Sequence, residues 1–102
     1  MSLAIEQMHD ATLVAIRFDW TARTCVLEFA GAPSFQEPFL VEFCGVTELV
    51  VPAAAEWGPS DSVLEVIDHG EGRYDFSMQS GDTIRIVAPN NSFKPTPLRG
   101  AA

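Results

Sequence analysis

The sequence predicts an all-β fold, an antiparallel sandwich or partly open barrel of about six strands with at most one or two short helical turns. Three observations carry this expectation. From Asp10 onward, short runs alternate apolar with polar residues, the period of a half-buried strand. Glycine- or proline-bearing turns punctuate the runs at short intervals. No segment sustains helical periodicity beyond a turn or two.

The elements follow in order. Leu3 to Met8 reads equally as a helical turn or an edge strand. Thr12, Val14, Ile16, Phe18 and Trp20 then alternate on one face with Leu13, Ala15, Arg17 and Asp19 on the other, which predicts a strand. A turn at 19–23 leads to a second run with Cys25, Leu27 and Phe29 on one face, so the pair reads as a hairpin closed by Gly31-Ala32-Pro33-Ser34. Phe39 to Val51 is too long for one flat strand. Gly45 interrupts it and predicts a bend at which the chain curls or changes sheets. Pro52 to Gly58 has the composition of a short helical turn, proline at its start and glycine at its end. A meander of three strands follows, Val63–Asp68, Arg73–Gln79 and Thr83–Ala88, joined by turns at His69–Gly72 and Ser80–Asp82. In its middle strand Tyr74, Phe76 and Met78 face inward, and Arg73, Asp75, Ser77 and Gln79 face water. The whole of 1–102 reads as a single domain with a fraying tail over 95–102.

Composition bounds the function. Fourteen acidic against six basic side chains give a formal charge of −8, a field that repels nucleic-acid phosphates and anionic lipid and attracts a basic protein partner. Charge of this size also serves solubility alone. The opening residues lack a basic, apolar leader, and no apolar run approaches the ~20 residues that span a bilayer. Two cysteines, Cys25 and Cys44, fit reduced thiols better than a disulfide framework. The expected location is cytoplasmic, and the Asn90-Asn91-Ser92 sequon is then without consequence.

Catalytic constellations are sparse. A metal or general-base site would draw on His9, Asp10 and His69, but no ligand spacing such as HxxxH or CxxC joins them, and two solvated histidines with Asp10 in a turn explain the same residues. Cys25 shares a face with Leu27 and Phe29, as a small core residue does; Cys44 shares one with Glu42, whose charge raises a thiol pKa. No serine lies in a Gly-x-Ser-x-Gly elbow, and no cofactor motif is present. The expectation is a protein without catalysis of its own.

The best candidate for binding is Glu56-Trp57-Gly58-Pro59-Ser60-Asp61-Ser62, with Trp57, Pro59, Ser60 and Asp61 as contacts, and Trp20 at the first hairpin tip is a further candidate. Each tryptophan has a second reading, folded back over one end of the core, the commoner place for a large aromatic.

Three pieces, His9-Asp10-Ala11-Thr12-Leu13, Val51-Pro52 with Trp57-Gly58-Pro59-Ser60, and Met78-Gln79-Ser80-Gly81-Asp82, resemble a group of small bacterial all-β domains. In size, acidity and strand content the chain is similar to the all-β immunity proteins of bacterial polymorphic toxin systems. That resemblance implies a cytoplasmic protein that binds and blocks a toxin. The leading expectation is therefore a non-catalytic module with an acidic surface for a basic protein partner. A small-molecule or metal-binding barrel with minor enzymatic activity and a homodimer formed through a strand edge are the alternatives.

Overall fold

The computed structural model describes residues 5–89 and 95–97. After one 3-10 turn at Ile5–Met8, eight strands follow: β1 Thr12–Asp19, β2 Thr24–Gly31, β3 Phe39–Phe43, β4 Glu48–Val50, β5 Val63–Gly70, β6 Arg73–Met78, β7 Thr83–Val87 and β8 Pro95–Pro97. They form two antiparallel four-stranded sheets, ordered β1-β2-β3-β8 and β4-β7-β6-β5. The fold is all-β and sandwich-like, and the sheets do not close into a barrel. Among the described residues no helix is long and apolar enough to cross a membrane.

The core is built from alternate residues of the inner strands. Cys25, Leu27 and Phe29 of β2 and Phe39, Val41 and Phe43 of β3 meet Tyr74, Phe76 and Met78 of β6 and Ile84 and Ile86 of β7, all buried. Phe43 bridges the sheets, 5.3 Å from the Tyr74 ring and edge-on to Phe76. Fully burying each such side chain is worth about 1.5–3 kcal/mol. Gly45, at φ 66, is the bend that carries the chain from β3 in one sheet to β4 in the other.

Five expectations are corrected. The alternation predicted from Thr12 to Trp20 breaks at a bulge between Leu13 and Ala15. The extra residue turns Val14 outward, 58% exposed, and Leu13 joins Ile16 and Phe18 against the core. Pro52 to Gly58 forms no helical turn: Ala55 is left-handed at φ 51, and the N–H groups of Ala54 and Ala55 donate to the Asp82 carboxylate rather than opening a helix. Asp75 does not face water, as the next subsection describes. The tail does not fray at 95–97, which pair with β3 in the register Phe39↔Pro97 to Val41↔Pro95. Among the described residues the strands number eight, because β4 separates from β3 and β8 is added. The sequon at 90–92 and residues 98–102 lie outside the described residues.

Candidate functional site

Both tryptophans are outside the core. Trp57 is 75% exposed and Trp20 71% exposed, so the folded-back reading is overturned for each. The physical reason is that each ring rests on backbone or a cation near the surface, and neither points between the sheets.

Trp57 sits on a fixed platform. Its N–H donates to the Ser80 carbonyl at 2.9 Å, and Gly58 N–H closes a turn onto the Ala55 carbonyl at 3.0 Å. The Asp82 carboxylate accepts from Ala54 and Ala55 N–H and from the Ser80 hydroxyl at 2.8 Å. The Ser80 hydroxyl and the two amides hold that carboxyl below its ordinary range, although partial burial opposes them. The indole lies against Gly81, where an added Cβ would come 3.0 Å from its Cδ2 atom. Pro59, Ser60 and Asp61 follow on the same loop and are exposed. The Ser60 hydroxyl accepts Ser62 N–H at 3.2 Å, and the Asp61 carbonyl accepts Leu13 N–H at 2.8 Å, which leaves the Asp61 carboxylate toward solvent.

Trp20 occupies the tip of the β1–β2 hairpin. Asp19 fixes the tip by accepting Arg23 N–H on its carbonyl at 2.8 Å and Ala22 N–H on its carboxylate at 3.0 Å. The Arg23 guanidinium lies over the indole, 4.3 Å from its centre, and the Phe18 ring meets it edge-on at 5.9 Å. A cation over an indole near the surface is worth about 0.5–1 kcal/mol.

Two cavities lie beside β1. A cavity of about 230 Å³ is lined by Leu13 and Ile16 of β1, the 51–53 and 60–61 segments, and Met78 and Ile84 as its apolar floor. A second, of about 220 Å³, lies between Phe18, Trp20 and Arg23 on one side and Val46 to Leu49 on the other. The β1 residues of the first are Leu13 and Ile16, and the second takes Phe18 from the same strand.

The histidines are not brought together. His9 Nδ1 lies 2.7 Å from the Leu64 carbonyl at the start of β5, and His69 sits near the end of that strand. Five residues of strand separate those points by roughly 16 Å. Asp10 stays with His9 and accepts the Gln79 side-chain amide. Among the described residues no group of three or more His, Cys, Asp or Glu side chains could hold a metal ion. Burial pushes the Cys25 thiol up to about 11, as its core position implies, and Cys44 is exposed at the end of β3.

One cluster escapes sequence reasoning. Asp75, only 8% exposed, lies on the outer face of β6 beneath an imidazole and two guanidinium groups. His69 Nε2 is 2.9 Å from one carboxylate oxygen, Arg85 Nε 3.4 Å from the other, and Arg73 Nη2 3.6 Å away. Burial raises this carboxyl's pKa, but the hydrogen bonds of His69 and Arg85 and the charges of His69 and Arg73 together bring it below the ordinary range. The cluster ties β5, β6 and β7 across their outer face. Alternation places Asp75 outward correctly; only the register Ile67↔Asp75↔Arg85 reveals that its neighbours cover it.

Comparison with known protein families, with curated proteins and with solved structures found no match for this chain.

Proposed function

We propose that this protein is a non-catalytic protein-binding module whose contacts are made by Trp57 with its loop and by Trp20. The observation that carries the reading is the exposure of two large aromatics on loops that their own hydrogen bonds hold in place. Rigid aromatics that lose little entropy on contact are the side chains from which binding hot spots are built. Each also neighbours a non-glycine residue in left-handed backbone, Ala55 at φ 51 and Arg23 at φ 58. Such strain gathers where the fold holds a loop for use.

Charge favours a basic partner. At −8 overall the molecule steers cations toward itself, and Glu56 and Asp61 stand beside Trp57. A cytoplasmic, bacterial, immunity-like role, in which the module covers and blocks a toxin, is the specific form of this reading that agrees with size, acidity and fold. Self-association has less support. Strand β5 is covered at its start, where Asp10 N–H bonds the Val63 carbonyl and His9 meets that of Leu64, and β8 carries two prolines.

The test is affinity capture from lysate of the source cells at low and moderate salt, with bound proteins identified by mass spectrometry. One stoichiometric protein, retained at low salt and released as salt rises, is the expected result. A blank at both salts, with the protein monomeric and folded, contradicts the reading.

A further inference from the structure

We propose that the cavity of about 230 Å³ at the base of the Trp57 loop takes a lysine side chain of the partner, its apolar stem against the cavity floor and its ammonium at the carboxylates of Asp61 and Asp82. This rests on the protein-binding reading and names the group by which the basic partner is recognised.

The lining grades from buried hydrocarbon to exposed loop. Met78 of β6 and Ile84 of β7 are buried members of the core, and Leu13 and Ile16 of β1 are half-buried against it. The remaining wall is the two ends of the Trp57 loop, residues 51–53 and 60–61, all exposed. An apolar hole of roughly 150 Å³ already admits a benzene ring, so a four-carbon stem has room here.

The loop is tied down at both ends of this wall. Ala54 and Ala55 N–H donate to the Asp82 carboxylate on one side, and the Asp61 carbonyl accepts Leu13 N–H at 2.8 Å on the other. Between them Trp57 N–H donates to the Ser80 carbonyl. A wall held by hydrogen bonds to both sheets keeps the cavity formed before a ligand arrives, which lowers the entropy cost of filling it.

Charge selects the occupant. Asp61 and Asp82 are the charged residues of the lining, and both are acidic. The described arginines are engaged elsewhere: Arg17 with Glu28, Arg23 over Trp20, Arg73 and Arg85 at Asp75. The Ser80 hydroxyl and the two amides keep Asp82 ionised at neutral pH. Two carboxylates thus share one cavity with an apolar floor, and the described chain supplies neither with a counter-charge. A purely aliphatic anchor would strip water from them without return, and an anion would be repelled. A lysine meets both demands in one side chain, hydrocarbon along its stem and charge at its tip. Its compact ammonium needs a single free lone pair, whereas both oxygens of Asp82 already accept hydrogen bonds and cannot take the paired fork of a guanidinium.

The test is amide shift titration of the isotope-labelled full chain with N-acetyl-lysine methylamide, and with N-acetyl-norleucine methylamide as the uncharged counterpart, at constant ionic strength. The lysine probe is expected to give saturating shifts at Leu13, Ala53, Asp61 and Ile84, and the norleucine probe to bind about tenfold more weakly. Asp61→Asn should raise the Kd of the lysine probe by a similar factor and leave that of the norleucine probe unchanged. The Asp61 side chain is exposed, so this variant keeps the wild-type melting temperature. Glu56→Gln removes the same charge from the same loop outside the cavity lining, and should change the Kd by less than about twofold. No saturating shift at the cavity, equal affinity for the two probes, or equal weakening by Glu56→Gln and Asp61→Asn each overturns the lysine site. None of these results touches the protein-binding reading, which the lysate capture decides separately.

Discussion

The indole of Trp57 lies against Gly81, close enough that a Cβ on that glycine would meet Cδ2 at 3.0 Å. Gly81 is also at φ +99, a conformation that L side chains rarely adopt. A turn glycine and an exposed aromatic are thereby coupled: the reversal between β6 and β7 makes the shelf on which the binding loop displays its ring. Gly81→Ala is expected to cost about 1–2 kcal/mol from backbone strain and to displace the indole. Denaturant unfolding and Trp57 emission in a Trp20→Phe background measure the two effects. A variant with unchanged stability and emission contradicts the shelf.

Asp82 holds the same loop through charge. Its folded-state pKa is lowered, so its contribution is complete above the unfolded value of about 3.9 and is lost as pH falls through the depressed folded value. Acidification below pH ~4 is expected to release Ala54 and Ala55 and change Trp57 emission. Asp82→Asn should show that altered emission already at neutral pH and lose the acid transition.

Ala55 carries strain that the fold does not need for stability. An alanine at φ 51 costs about 1–2 kcal/mol relative to ordinary backbone, and glycine relieves most of it. Ala55→Gly is predicted to stabilise the protein by about 0.5–1 kcal/mol, less the extra freedom that glycine gives the unfolded chain. A clear loss of stability in a melt would mean that the methyl group makes a contact outweighing the strain.

How far the sequence reveals this molecule depends on which interactions decide each part. Period-two alternation in β2, β3 and β6 reads directly as buried Phe29, Phe43 and Phe76, because burial of one strand face is written every second residue. Gly45 is legible as the sheet-changing bend, since its positive φ has a residue-type signature. The 52–58 loop is not legible, because its conformation is set by a carboxylate nearly thirty residues away. The bulge at Val14 has no glycine to announce it. Trp57 and Trp20 are identifiable as candidates, but their exposure depends on Gly81, Arg23 and the loop geometry. The two cavities beside β1 require the relative placement of two sheets, which alternation does not encode.

Asp75 makes the outer face of the second sheet a charge-clamped layer. Asp75→Asn keeps one acceptor oxygen but leaves Arg73 and Arg85 without their counter-charge, at an expected cost on the order of 2 kcal/mol by chemical denaturation. The lowered carboxyl pKa places this contribution above the ordinary carboxylate range and removes it on acidification, with a global readout that separates it from the local release at Asp82. Equal stability of wild type and Asp75→Asn at pH 7 contradicts the clamp.

The most direct measurement is the affinity of the lysate-captured partner for wild type and Trp57→Ala side by side, with a melt of each. Trp57 is three-quarters exposed, so its removal should leave stability within about 0.5 kcal/mol, and as an interface anchor it should weaken binding by 2 kcal/mol or more, roughly thirtyfold. Unchanged affinity in a fully folded Trp57→Ala variant would contradict the assignment of this surface to binding.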